Sequence, residues 1–245
     1  MNEAAGAERF FGGRIVLRQD PDGYRAGLDA ALLAAAVRVP DGGRAAEFGC
    51  GAGAALLSAA SLNETAQIFG IERDRAAAAL ARENTALNAM THRVSIIEAD
   101  AMAWREESGL DAVFFNPPFF DDPAALRAPK PGKTGAYMNE AGLAAWIEAG
   151  LKRLKEGGVL TVVHRADRLG EILGALTGKA GDTAVLGVHP RPGQPAKRVL
   201  VAARKTARAP MRLLAPLVLH PETGSGFTEQ ARAVLEGRAR LALHP

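Results

Sequence analysis

Arg44-Ala45-Ala46-Glu47-Phe48-Gly49-Cys50-Gly51-Ala52-Gly53-Ala54 is the stretch whose reading decides the fold. Residues 44–48 suit a short strand, and three glycines follow at alternate positions. The alanine- and leucine-rich run over 54–61 then has helical composition. Glycines at such a turn admit positive φ and let a ligand approach the backbone, while the first amides of the next helix stand unpaired and point toward it. Strand, glycine turn and helix together form a unit that carries a nucleotide-like ligand. Spacing alone leaves the ligand open, because Gly49, Gly51 and Ala54 also fit the Gly-x-Gly-x-x-Ala form of dinucleotide-binding folds.

Outward from this unit the alternation repeats. Residues 67–71 predict a strand closed by Glu72-Arg73-Asp74, with Asp74 as N-cap of a helix over 75–89. Further strands are expected at 93–98, ending in Ala99-Asp100-Ala101, and at 111–115. A helix near 139–155 is broken by Gly157-Gly158, then a strand over 159–164, a helix over 167–176 and strands at 183–189 and 199–203 follow. Alternating strands and helices from 44 to 180 predict an α/β fold with a doubly wound, mostly parallel seven-stranded sheet. The last two strands are joined by a short proline-rich turn, which predicts an antiparallel hairpin at the sheet edge. Upstream, 14–18 reads as a strand, 20–23 as a turn and 28–37 as a helix. Downstream, Thr228-Glu229-Gln230 opens a short helix that Gly237 stops. One domain is expected over 1–245: an N-terminal hairpin and helix in 1–40, the core in 41–206, and a docked extension in 207–245.

Composition narrows the function classes. With 48% hydrophobic and 23% charged residues over 245, the chain can bury a full core. The longest apolar run, 30–37, is far short of the roughly 20 residues that cross a bilayer, and Glu3 and Glu8 stand where a signal peptide is basic. A cytoplasmic protein is expected, with no membrane partner. A lone Cys50 excludes a disulfide framework and a cysteine-built metal site, so no metal is expected. Net charge is +3 and the pI about 9.2, a mild argument for a polyanionic partner. The distribution argues more strongly: 183–221 holds no acid, but carries Arg191, Lys197, Arg198, Arg204, Lys205, Arg208 and Arg212. Arg127, Lys130 and Lys133 lie further upstream.

In a parallel sheet the carboxyl ends of successive strands line one crevice. Three acids fall there: Glu47, Glu72 and Asp100. Glu72 is placed to accept from two ribose hydroxyls, Asp100 from an adenine amine, and Glu47 from an ammonium or a backbone donor. The next strand ends in Asn116-Pro117-Pro118-Phe119. Two prolines cannot donate backbone hydrogen bonds, so the carbonyls around Asn116 and Pro117 are free to accept. An amide oxygen, a stiffened carbonyl and an aromatic face make a receptor for a flat group bearing NH2. Cys50 reads as a small residue, and His164 as structural.

With these motifs in view, the chain resembles class I S-adenosylmethionine-dependent methyltransferases with a Rossmann-like sheet, and among them the amino-methyltransferases carrying Asn-Pro-Pro-Phe or Asn-Pro-Pro-Tyr. It is most similar to the bacterial tRNA1(Val) adenine-37 N6-methyltransferase group. Gly23-Tyr24-Arg25, Asp29, Leu32-Leu33, Lys197-Arg198-Val199-Leu200 and the segment from Leu219-His220 to Gly237 extend the resemblance. It implies S-adenosylmethionine as cofactor, held by Asp29, Glu47, Gly49, Gly51, Gly53, Glu72, Asp100, Ala101 and Asn116, with the helix of Asp29 closing over the methionine end. Asn116, Pro117, Pro118 and Phe119 hold the target. Arg25, Lys130, Lys133, Lys197 and Arg198 face RNA, in particular tRNA, and the protein is a monomer or weak dimer. Phe119 departs from the Tyr that adenine and glutamine enzymes often carry; stacking is kept, and guanine N2 enzymes also use Phe. Alternatives are glutamine N5 methylation of a protein, guanine N2 methylation of RNA, and a non-catalytic protein that binds the cofactor and RNA.

Overall fold

The computed structural model describes residues 6–19, 27–106, 109–117 and 142–243. In chain order the elements are β1 (Ala7–Phe10), β2 (Ile15–Arg18), α1 (Leu28–Ala36), β3 (Arg44–Phe48), α2 (Ala54–Leu62), β4 (Gln67–Glu72), α3 (Arg75–Leu87), β5 (Val94–Glu98) and β6 (Leu110–Phe115). Then come α4 (Leu143–Arg153), β7 (Leu154–Arg165), α5 (Leu169–Leu176), β8 (Ala180–His189), β9 (Arg198–Lys205), β10 (Arg212–Leu213), β11 (Leu217–Val218) and α6 (Glu229–Leu235). The main sheet runs β10-β8-β9-β7-β6-β3-β4-β5, with β11 also pairing β8. Strands β3 to β7 are mutually parallel, and β9 is antiparallel to both β7 and β8.

Strand periodicity sorts the core into two layers. Phe114 packs with α1, α2 and α6 on one face, while its neighbour Phe115 packs with α4 and α5 on the other. Central strands covered on both faces need unbroken apolar runs, and Ala112-Val113-Phe114-Phe115 supplies one. Helix α1 is buried along its length from Ala31 to Ala36, which explains why it shows no polar face.

Two expectations need correction. The helix expected near 139–155 ends at Arg153, and the strand begins directly at Leu154. Gly157, at φ +76°, and Gly158 do not break a helix. They lie within β7, where the pairing with β6 shifts register between Leu110 and Ala112. The hairpin β8–β9 forms as expected, but the outer side of β8 is covered by the two-residue strands β10 and β11.

The small sheet β1–β2 is fastened to α3 by side-chain amides that act as a substitute strand. Asn88 exchanges both bonds with Val16, Oδ1 accepting from its N–H at 2.8 Å and Nδ2 donating to its carbonyl at 2.7 Å. Asn84, four residues earlier, does the same for Arg18 and also donates to the Ala52 carbonyl at 2.9 Å. The amino-terminal hairpin is thereby coupled to the glycine turn.

Candidate active site

Register brings the sequence motifs to one edge. Phe48 is level with Ile71 on one side and Phe115 on the other, so Gly49, Glu72 and Asn116 emerge side by side. Gly49, Gly51 and Gly53 have φ of +67°, +53° and +89°, and Gly53 is the N-cap of α2. Trp146 of α4 stands 3.0 Å from where a Gly49 Cβ would be, whereas nothing lies within 4 Å of one at Gly51. One glycine admits a helix behind the turn; the other leaves the turn's surface open for a ligand.

Glu72 shapes the turn directly. Its Oε2 accepts from the Gly51 N–H at 2.9 Å and its Oε1 from the Asp74 N–H at 2.8 Å, while Asp74 caps α3 by accepting from Ala77 at 2.9 Å. Each carboxylate oxygen keeps a second lone pair for a ligand hydroxyl. Glu47 is only 4% exposed, and its Oε2 has no partner among the described residues. Burial raises its pKa well above the ordinary carboxylate value, the charge of Glu72 adds to this, and a hydrogen bond from the Leu56 amide at the start of α2 opposes it. Burial likewise pushes the Cys50 thiol up, so this thiol is no nucleophile. Asp100 is exposed and closes its own turn, Oδ1 accepting from Met102 N–H at 2.8 Å; Ala101 is buried beside it.

Asn116 Oδ1 and the Trp146 indole N–H are also buried without partners among the described residues. Buried polar atoms are nearly always satisfied, and Glu47 and Asn116, carried by the paired strands β3 and β6, each leave one oxygen unanswered among the described residues. Pro117 is buried behind Asn116. Pro118, Phe119, Arg25, Lys130 and Lys133 lie outside the described residues. Among those described, no group of histidine, cysteine and carboxylate side chains could hold a metal ion, and no helix is long and apolar enough to cross a membrane.

Two residues that position the site escaped notice in the sequence. Asn84 holds the turn through Ala52. Arg153, buried at the end of α4, donates from Nε to the Trp104 carbonyl at 2.7 Å and from its guanidinium to the Met102 carbonyl at 2.8 Å. It thereby pins the loop that carries Asp100 and Ala101. An asparagine pair spaced by four in an alanine-rich helix was a visible signal; nothing marked Arg153 among thirty basic residues. His164 is buried, and burial lowers its pKa against the pull of Glu171 and Asp167.

The basic stretch does not form one face. Strand β9 runs across the sheet, so its eight residues carry Arg198 to the crevice edge and Arg204 and Lys205 to the opposite one, roughly 24 Å away at ~3.4 Å per residue. Arg204 and Arg212 there pair with Asp182, beside a cavity of about 450 Å³ lined by Arg38, Asp111, Lys155, Arg204 and Arg240. That cavity is remote from Asn116. Lys155 is tied to Asp111, and Arg240 to the carbonyls of Leu62 and Val37. At the crevice edge Lys197 is exposed, but Arg198 Nε lies 3.1 and 3.0 Å from the two oxygens of buried Asp29. Arg198→Ala is expected to cost about 1–2 kcal/mol, because it strands a buried carboxylate while the guanidinium was itself partly solvated. Adding Asp29→Asn should recover part of the loss in a urea-unfolding cycle. Equal stability of Arg198→Ala and the parent would show the pair to be incidental.

Comparison with known proteins bears on the family and the fold. The family model for the methyltransferase small domain matches residues 25–180. A protein of Bacteroides thetaiotaomicron named tRNA1(Val) (adenine(37)-N6)-methyltransferase is 29% identical over 186 residues, 74% of this chain and 77% of that one. One of the same name from Erwinia tasmaniensis is 28% identical over 163 residues, 65% and 66%. Among solved structures, a protein of Agrobacterium tumefaciens described as a predicted O-methyltransferase superposes with TM-score 0.70 at 29% identity, covering 87% of this chain and 98% of that one. That family model, matching residues 25–180 of a chain folded around a mostly parallel sheet, establishes that the chain belongs to the methyltransferase small domain family.

Proposed function

We propose that the protein is an S-adenosylmethionine-dependent N-methyltransferase acting on an exocyclic amine of an RNA base, adenine N6 in a tRNA anticodon loop. The observation that carries this reading is the buried Oδ1 of Asn116, without a partner among the described residues and set level with the glycine turn by strand register. The names of the relatives support the base and the RNA, and the family supports methyl transfer. An enzyme of this kind works in the cytoplasm.

The residues fit the cofactor. Open space over Gly51 admits a ligand against the backbone, the second lone pairs of Glu72 suit a ribose diol, and orphaned Glu47 suits an ammonium. Asp100 and Ala101 border the adenine side, and Gly49, Gly53 and Asp29 complete the enclosure. Bound S-adenosylmethionine supplies an electrophilic methyl group there.

The protein's own part is orientation. An adenine amine is a weak nucleophile because its lone pair is delocalised into the ring. Asn116 Oδ1 and the Pro117 carbonyl accept its two hydrogens, which favours a more tetrahedral nitrogen with its lone pair turned toward the crevice. Attack needs a separation of about 3–3.5 Å in line. No strong base is required, since the methylated amine is acidic while cationic and passes its proton to water or to Asn116 Oδ1. Phe119 stacks on the base, which unstacks most cheaply from a single-stranded loop.

Isotopically labelled methyl donor offered with total RNA and total protein should label tRNA, and nucleoside analysis should return N6-methyladenosine. Label in protein would instead indicate a glutamine acceptor, N2-methylguanosine would move the reaction to guanine, and no transfer at all would refute the proposal.

A further inference from the structure

At the crevice edge of the sheet, on the side away from the glycine turn, His220 and Phe227 stack with ring centroids 4.9 Å apart and 18° between their planes. Phe227 remains 41% exposed. The loop bearing both rings is fixed by bonds that do not involve the Phe227 ring. His220 N–H donates to the Pro190 carbonyl at 2.9 Å, and Thr228 donates to Leu219 and Val218 carbonyls at 2.8 and 2.7 Å. His220 Nδ1 contacts the Gly226 carbonyl at 2.9 Å. Arg191, reaching across from the 190–197 loop, donates to the carbonyls of Pro221, Glu222 and Gly224. The Phe227 ring is thus backed by His220 and left substantially exposed, while other groups close the loop.

We propose that the Phe227 ring, backed by His220, is a stacking platform for an unpaired nucleobase flanking the target in the same RNA strand. Position and the exposure of the ring support it together. Val218 is paired with His189 at the end of β8, and Val188 with Arg198 at the start of β9, so the platform occupies the same sheet edge as Asn116. From β6 through β7, β9 and β8 to β11 is four strand steps, about 19 Å, which about five or six stacked nucleotides would span at ~3.4 Å each. The edge between them carries exposed Lys197, while Arg165 is paired with Asp167 and Arg198 with Asp29, and Glu222 is the acid on the platform's own loop. Base stacking on an aromatic face tolerates any base, so the platform adds affinity and registers the strand without reading sequence.

This rests on the RNA reading above, and the test separates the two. Phe227→Leu keeps apolar bulk and removes the π face. With an unmodified valine tRNA transcript as probe, its Kd and KM should rise about fivefold or more, with kcat at saturating RNA and the Kd for S-adenosylhomocysteine unchanged. Phe227→Trp should bind as well as the parent. Ultraviolet crosslinking of the unaltered protein to a thiouridine-substituted transcript should place an adduct within 219–228. Parental RNA affinity in Phe227→Leu, equal losses in the Leu and Trp variants, or adducts confined to other segments would overturn the platform while leaving RNA methylation standing. A protein that methylates no RNA would remove both.

Discussion

Asn116→Ala is expected to lower turnover by at least about a hundredfold, with the Kd for S-adenosylhomocysteine within a few fold of the parent. The side chain leaves β6 one residue beyond Phe115, whose backbone is paired on both sides, to β3 and to β7. Its origin is therefore rigid, and its oxygen is buried with no described partner. In the proposed mechanism, removing it takes away one of the two acceptors that turn the amine, and misplacing a reacting atom by about 1 Å is enough to cost ~100-fold. The fold should suffer little, since the oxygen answers no donor among the described residues. Asn116→Asp makes the complementary test, offering the same oxygen with a charge that burial opposes. Turnover near the parental value in Asn116→Ala, measured on saturating tRNA, would end the assignment.

Glu47→Gln should make the protein more stable and its cofactor binding weaker. Burial, and then the neighbouring charge of Glu72, raises the Glu47 pKa in the folded state above the value near 4.5 it has when exposed. A carboxyl shifted in that direction contributes stability that is fully present below pH ~4.5 and is lost as pH climbs through the folded value. Gln keeps the shape and the bond from the Leu56 amide without that loss, so the two proteins should melt together in acid and diverge as pH rises toward neutral. Relieving a buried, half-satisfied acid is worth about 1–3 kcal/mol, or roughly 2–12 °C in Tm for a chain of this size. In the proposed site the same exchange removes the charge that would answer the ligand ammonium, so the Kd for S-adenosylhomocysteine should rise at least about tenfold. Retention of an unfavourable acid is the usual mark of a site selected for function over stability. A variant neither more stable at pH 7 nor weaker in binding would show Glu47 to be an ordinary core residue.

The split of the basic stretch shows how sequence order misleads. Seven cations in 183–221 read as one surface, yet a strand that crosses the sheet deals its residues to both edges, and Arg198 spends its charge on Asp29. Gly157-Gly158 misled in a similar way: a glycine pair marks a break in either a helix or a strand, and only pairing with β6 decides which.

By themselves the amino acids determined the alternation of strand and helix, the glycine turn and the positions of Glu47, Glu72, Asp100 and Asn116 at strand ends, because those features are set by local periodicity and backbone chemistry over a few residues. Tertiary structure alone decided which side chains answer one another: Asn84 with Ala52, Arg153 with the Met102–Trp104 carbonyls, Asp29 with Arg198, His220 with Phe227. Three of those four pairings span 32 to 169 residues, and what fixes them is the packing of helices, turns and strands distant in sequence, which no local pattern encodes.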